Sequence, residues 1–177
     1  MDIVVPDEFK YLYVTNADRP VVKIPDPVLR KVCNEVTAVT KKTDELIKSM
    51  LHALRLANGI GLAAPQMGSL ERIIIVAPAG TKPLVLVNPV ITEKHGEQIG
   101  QEGCLSIPGL YGDVLRAESV EVQAFDRKGK PVSYEMAGLP ARVVQHEVDH
   151  LDGVLFIDKV DMATLHWSHP ETDDEVE

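Results

Sequence analysis

One string in the sequence has its chemistry set by spacing: His146-Glu147-Val148-Asp149-His150. Two histidines at i and i+4 of a helix project from one face, so both imidazoles can reach a single metal ion. The glutamate beside the first histidine can take a proton from a water held there. Val143, Val144 and Leu151 flank the pair, which points to a buried helix rather than a solvated one. A catalytic metal needs a third protein ligand and an open position. Cys104, His95, His166, His169 and several acids are candidates for it. Cys104 stands out, because Glu102-Gly103-Cys104-Leu105-Ser106 sets a thiol between a glycine and a strand-like run. A thiolate with two imidazoles suits Fe(II), Zn(II), Ni(II) or Co(II), and it leaves one positive charge to polarise a water. His166 and His169 fall in a polar stretch after the last strand and read as ordinary surface residues. The third feature is Gly59-Ile60-Gly61-Leu62-Ala63-Ala64-Pro65-Gln66. Its small residues let a backbone approach a ligand closely, and the Gln66 amide can donate to a developing oxyanion.

These residues need elements to hold them. Asp26 caps a short helix with Pro27 at its first position, running to about Val32. Thr43 is the next cap, with Asp44 and Glu45 in the first turn. Leu46, Ile47, Met50, Leu51 and Leu54 follow as one apolar stripe, with His52 outside it in solvent. Asn58-Gly59 ends that helix, and Gly59 suits the left-handed terminal position. Strand-like runs cover 72–77, 84–87, 119–125 and 132–136, with a hairpin turn at 126–130. Leu139-Pro140 opens a second helix that runs to about Leu151, with Gly153 after it. Prolines and glycines between the strands favour antiparallel connections. The fold class expected is α+β, with antiparallel β-sheets packed around a central helix that carries the HExxH string. Residues 1–23 show no clear period and read as an extended lead-in.

Composition bounds the rest. The chain has 177 residues, 45% hydrophobic and 25% charged, which suits one domain with its own core. A single domain over 1–160 is expected, followed by a polar, acidic tail over 161–177. The net charge is −9 and five acids sit in 171–177, so the rest of the chain is near −4. No fold-wide basic footprint for nucleic acid is present. No apolar run approaches the length of a membrane helix, and the acidic start of the chain does not read as a secretory signal. The location expected is cytoplasmic, where Cys33 and Cys104 stay as free thiols and Cys33 serves as a small buried hydrophobe.

The three strings together resemble the peptide deformylase family. Gly59–Gln66, 102–106 and 145–150 stand in the family's order and match its motifs, and the last continues as Leu151-Asp152-Gly153. The resemblance covers about 21–160. It implies Cys104, His146 and His150 as metal ligands and Glu147 as the general acid/base. It also implies Gln66 and the backbone N–H of Leu105 as oxyanion donors. The cofactor implied is one divalent ion per chain, natively Fe(II), with Zn(II), Ni(II) or Co(II) able to replace it. The reaction implied is removal of the formyl group from the N-terminal formyl-methionine of newly made polypeptides, releasing formate. The nascent polypeptide is the partner, with a transient ribosome contact as a further one. Ile60, Leu139, Val143 and the alkyl part of Arg142 are expected to line the methionine slot, with Glu102 near its mouth and Gly61 in the adjoining loop. Backbone groups of Gly59, Ile60, Gly109 and Tyr111 are expected to pair with an extended peptide. Glu102 is expected to pair with Arg116, and Glu102 and Asp149 are the acids placed to orient the imidazoles. Many family members carry a further C-terminal helix; here the chain after Val160 reads as polar and disordered. Two other readings stay open. One is a zincin-like peptidase with His166 or His169 as third ligand. The other is an inactive deformylase-like binding protein.

Overall fold

A computed structural model describes residues 1–169. Two α-helices are present among them, α1 (Lys41–Leu56) and α2 (Leu139–Leu151). The strands are β1 (Gly61–Ala63), β2 (Ile73–Val76), β3 (Leu84–His95), β4 (Gln98–Cys104), β5 (Ile107–Arg116), β6 (Ser119–Phe125), β7 (Pro131–Ala137) and β8 (His166–Trp167). They form a five-stranded sheet in the order β1-β2-β3-β6-β7 and a three-stranded sheet in the order β4-β5-β8. Neighbouring strands are antiparallel throughout.

The continuous apolar run of β2 is explained by what covers it. Ile73 and Ile75 face α1 and join Ile47, Met50, Ala53 and Leu54 in one core. Ile74 and Val76 face the other way, onto Ala141, Val143, Val144 and Leu151 of α2. The sheet is covered on both faces there, so both alternating sets of side chains are apolar. β6 and β7 have one face in solvent and show the period of two instead. A third core fills the small sheet, with Leu29, Ile107, Leu110, Val114, Leu155 and Phe156. The helix bearing the HExxH string therefore lies between the sheets, as the α+β reading requires.

Several boundaries differ from expectation. α1 starts three residues earlier, because Thr40 is the cap and Thr43 bonds back to it as the third residue of a capping box. At the other end, Asn58 rather than Gly59 takes the left-handed conformation, with φ 49°. Gly59 serves close approach: a Cβ there would lie 2.9 Å from Leu105 Cδ1. β3 extends to His95, far beyond 84–87, through irregular register around Asn88 and Pro89. Asn88 anchors that irregularity by pairing its side-chain amide with both backbone groups of Val36. β4 and β5 lie outside the strand runs expected from the sequence, apart from the strand-like run after Cys104. Gly103 and Gly112 sit within them because a Cβ would meet the Tyr111 ring at 2.7 Å or Val160 at 2.5 Å.

Both ends of the described chain are more built than expected. The lead-in contains a 3-10 helix, Asp7–Tyr13, with Phe9 and Leu12 buried. Past Val160, a 3-10 turn (Met162–Thr164) leads into β8, which pairs His166 with Tyr111 and Trp167 with Leu110. The acidic run 171–177 lies outside the described residues. No helix among the described residues is long and apolar enough to cross a membrane.

Candidate metal centre

Three separate stretches converge at one point. His146 and His150 are one turn apart on α2, their ring centroids 5.1 Å apart. Cys104 ends β4, at the register shift where it pairs with Ile107 across a tight turn. Its Sγ is 3.4 Å from His150 Nε2. One ligand atom from each of Cys104, His146 and His150 lies within 4.8 Å of the other two, and all three residues are buried. Ligands at about 2.0–2.3 Å around a tetrahedral ion sit about 3.4–3.8 Å from one another, so this set fits one first-row divalent ion. His95 instead meets Glu93 at 3.0 Å. His166 lies opposite Tyr111 on β8, and His169 stacks on Phe9 with centroids 4.3 Å apart. Among the described residues, neither of these two belongs to the cluster, so the third-ligand place is filled by the thiol. A peptidase built on a third histidine loses its ligand.

The groups behind the ligands fix their chemical form. His146 Nδ1 is 2.7 Å from Glu102 Oε1. A proton donated there leaves Nε2 with its lone pair facing Cys104 and His150. Glu102 is gripped by Arg116 through two 2.8 Å bonds and by Arg142 Nη1 at 2.7 Å. Burial alone would raise the Glu102 carboxyl, but the hydrogen bonds from Arg116 and His146 hold it well below the carboxylate range. Asp149 does not touch an imidazole; it bonds Arg116 at 2.6 Å and Lys159 at 2.9 Å. Burial holds His150 well below the usual imidazole range, which keeps it in the neutral, ligating form. His146 is buried too, yet Cys104 and Glu102 on either side of it push it upward. That direction marks a place where positive charge is favoured. His150 Nδ1 and Glu147 Oε2 are buried without a hydrogen bond among the described residues.

Glu147 lies beside the ligand set and is 4% exposed. Burial pushes its carboxyl up to about 7. β1 comes so close that a Cβ on Gly61 would sit 2.5 Å from Glu147 Oε1 and 2.7 Å from Val143 Cγ1. Gln66 is held at both ends of its amide. Its Oε1 accepts from Ala63 N at 2.9 Å, and its Nε2 donates to Ser106 Oγ at 3.1 Å, with Cys104 Sγ at 3.8 Å. Ser106 lies inside the 102–106 motif, where nothing local in the sequence signals this orienting role.

A cavity of about 780 Å³ opens onto the site. Gly59, Ile60, Gly61, Gln66 and Leu105 line one part of it; Glu102, Gly109 and Tyr111, with Leu139, Arg142, Val143 and Glu147, line more. All the residues expected to meet substrate therefore share one space. Within it, the Arg142 guanidinium is committed to Glu102, Val114 O and Gln98 O, leaving only its stem to line the cavity. Both Glu102 oxygens are likewise engaged. The Arg142–Glu102 pairing was missed, since nothing in sequence links residues forty apart.

Comparison with known proteins agrees with this geometry. The family model described as "Polypeptide deformylase" matches residues 18–165. The chain belongs to the peptide deformylase family. It is 50% identical over 139 residues to a peptide deformylase of Halothermothrix orenii, covering 78% of this chain and 90% of the relative. It is 49% identical over 141 residues to peptide deformylase 1 of Bacillus anthracis, covering 79% and 90%. A solved peptide deformylase from Synechococcus elongatus, in complex with actinonin, superposes with a TM-score of 0.79 at 42% identity. That superposition covers 83% of this chain and 84% of the other. The Cys104, His146 and His150 group is the metal site of this deformylase fold.

Proposed function

We propose that this chain hydrolyses the formamide at the N-terminus of formyl-methionyl nascent polypeptides, releasing formate. The observation that carries the reading is the convergence of Cys104, His146 and His150 beside the buried carboxyl of Glu147. A divalent ion held by that set supplies a Lewis acid and an acidified water at neutral pH. The soft thiolate and two imidazoles support Fe(II) as the native ion, with Zn(II), Ni(II) or Co(II) accepted in its place.

The chain's own residues do the rest. Glu147, with its carboxyl near 7, takes the proton of the attacking water and returns one to the departing amine nitrogen. Gln66 Nε2, held by Ser106, and the backbone N–H of Leu105 donate to the oxygen that gains charge at the formyl carbon. Glu102 keeps His146 in one tautomer and is itself kept ionised by Arg116. Ile60, Leu139, Val143 and the stem of Arg142 receive the methionine side chain. Backbone groups of Gly59 and Ile60 on one side, and of Gly109 and Tyr111 on the other, pair with the extended peptide. The enzyme acts in the cytoplasm, on chains emerging from the ribosome.

The test is formate release from formyl-Met-Ala-Ser, with Fe(II)-loaded protein kept from air, beside a casein digest. Formate without casein cleavage supports the reading. Casein cleavage, or metal-loaded protein that releases no formate, overturns it.

A further inference from the structure

The family match begins at residue 18, and the chain on either side of that point is built into the cavity wall, Leu12 before it and Asp18 to Lys23 within it. The 3-10 helix Asp7–Tyr13 docks through Phe9, whose ring lies 5.0 Å from Trp167 and stacks on His169. It settles over Gly109, where φ is +87° and any Cβ would come within 2.7 Å of that ring. From there the chain turns back through Asn16, whose Oδ1 accepts from Asp18 N and Arg19 N at 3.0 Å each. The return is clasped by Lys23. Its ammonium donates to Val21 O at 2.6 Å, Val14 O at 3.1 Å and Arg19 O at 3.4 Å. Leu12, Asp18, Arg19, Pro20 and Lys23 thereby line the same cavity as Glu147 and Gly109.

The charge of this wall is unbalanced. Three carbonyl acceptors use all three donors of the Lys23 ammonium, which offsets part of the cost of burying it; burial and the nearby Arg19 charge pull its pKa below the usual lysine value. Among the described residues, none of Asp18, Arg19 and Lys23 has a carboxylate or cation partner in an ion pair. Two cations thus stand against one acid. Arg19 is the exposed one, its guanidinium carbon 5.8 Å from the centre of the Tyr11 ring, which steadies it at the rim.

We infer that the N-terminal segment adds a subsite to the cleft, in which Arg19 receives an acidic side chain of the nascent polypeptide downstream of the formyl-methionine. The inference rests on the deformylase reading and extends it from the first residue of the substrate to later ones. An exposed pair of this kind is worth a few fold in affinity and weakens with salt.

The experiment compares formyl-Met-Ala pentapeptides with Asp or Lys placed at the third, fourth or fifth position, at low ionic strength. Wild type is expected to favour Asp by about two- to fivefold in kcat/KM at one of these positions, through KM, with the preference fading in 0.5 M salt. Arg19→Ala should bring that ratio toward one, Arg19→Glu should invert it, and Asp18→Asn should enlarge it. Each ratio is internal to one enzyme, so a change in overall activity does not disturb it. Turnover of every peptide with no charge preference, or a preference that Arg19→Glu leaves in place, overturns the subsite alone. Failure of wild type to release formate from any of them, formyl-Met-Ala-Ser included, overturns the deformylase reading instead.

Discussion

At the scale of single residues, Glu147 and Glu102 show how one side-chain type takes two roles from its surroundings. Both are buried, but Glu102 faces two arginines and an imidazole, while Glu147 has an unpartnered oxygen. The first carboxyl is held ionised and the second is pushed up to about 7. Glu147→Gln keeps the shape and removes the proton acceptor. The variant is expected to retain its metal, by elemental analysis, and to lose at least 10²-fold in kcat, the lower range of general acid–base assistance. Loss of the metal as well would contradict a purely chemical role. A second consequence concerns stability in the metal-free protein. Below the unfolded value of 4.5 Glu147 is protonated in both states; between there and about 7 only the unfolded chain ionises. Folding stability is lost across that window, by up to about 3 kcal/mol. Chelator-treated Glu147→Gln should therefore gain on wild type in urea midpoint as pH rises from 4 to 8. Parallel curves would show that Glu147 is not desolvated. Glu102→Gln tests the other carboxylate. It leaves two buried arginines short of a counter-charge, at a cost of about 3–5 kcal/mol. It also loosens His146, for about a 10- to 100-fold loss of metal affinity. Urea unfolding and a competitive chelator titration read the two effects, and wild-type values in both would remove Glu102 from its orienting place.

At the scale of elements, the site depends on how closely β1 passes α2. Gly61 is the contact, since β1 has no room for a side chain against Glu147 and Val143. Gly61→Ala drives a methyl into the Glu147 carboxylate, so the strand or the carboxylate must move. Displacement of about 1 Å at a catalytic group is enough for about a 10²-fold loss in kcat/KM. Metal content should be unchanged, because neither β1 nor Gly61 supplies a ligand. An Ala variant with normal kcat/KM would show that the approach is looser than drawn. The same scale explains what the sequence disclosed. α2 was legible because its metal pair, its proline start and its apolar face are all local, with a period of 3.6 residues. β4 and β5 were not, because their glycines answer to neighbours distant in sequence: Gly112 to Val160, and Gly109 to Phe9. The 3-10 helix Asp7–Tyr13 was missed for the same reason, having a stacking partner at His169 and no repeating pattern of its own. Thr40 and Thr43 both carry hydroxyls and both belong to the capping box of α1, so only geometry separates the cap from its reciprocal partner.

At the scale of the whole molecule, the metal site joins the two sheets. Cys104 belongs to the small sheet, while His146 and His150 belong to the helix that packs on the large one. An ion bound to all three crosslinks cores that otherwise meet through side-chain packing and the Glu102 network. A ligand that binds only the folded state at 1,000 times its dissociation constant stabilises by about 4 kcal/mol. For a domain of this length each kcal/mol is worth about 2–4 °C in Tm. Removing the metal with a chelator is thus expected to lower Tm by about 8–16 °C, and adding back Fe(II), Zn(II), Ni(II) or Co(II) should restore it. Cys104→Ala offers the discriminating control. It breaks the link on the small-sheet side while leaving both histidines on α2, so its Tm should respond to metal far less than that of wild type. A variant whose metal-dependent rise in Tm matched wild type would mean that the ion is held within α2 alone. The convergence of the two sheets on one cation would then fail as the basis of the site.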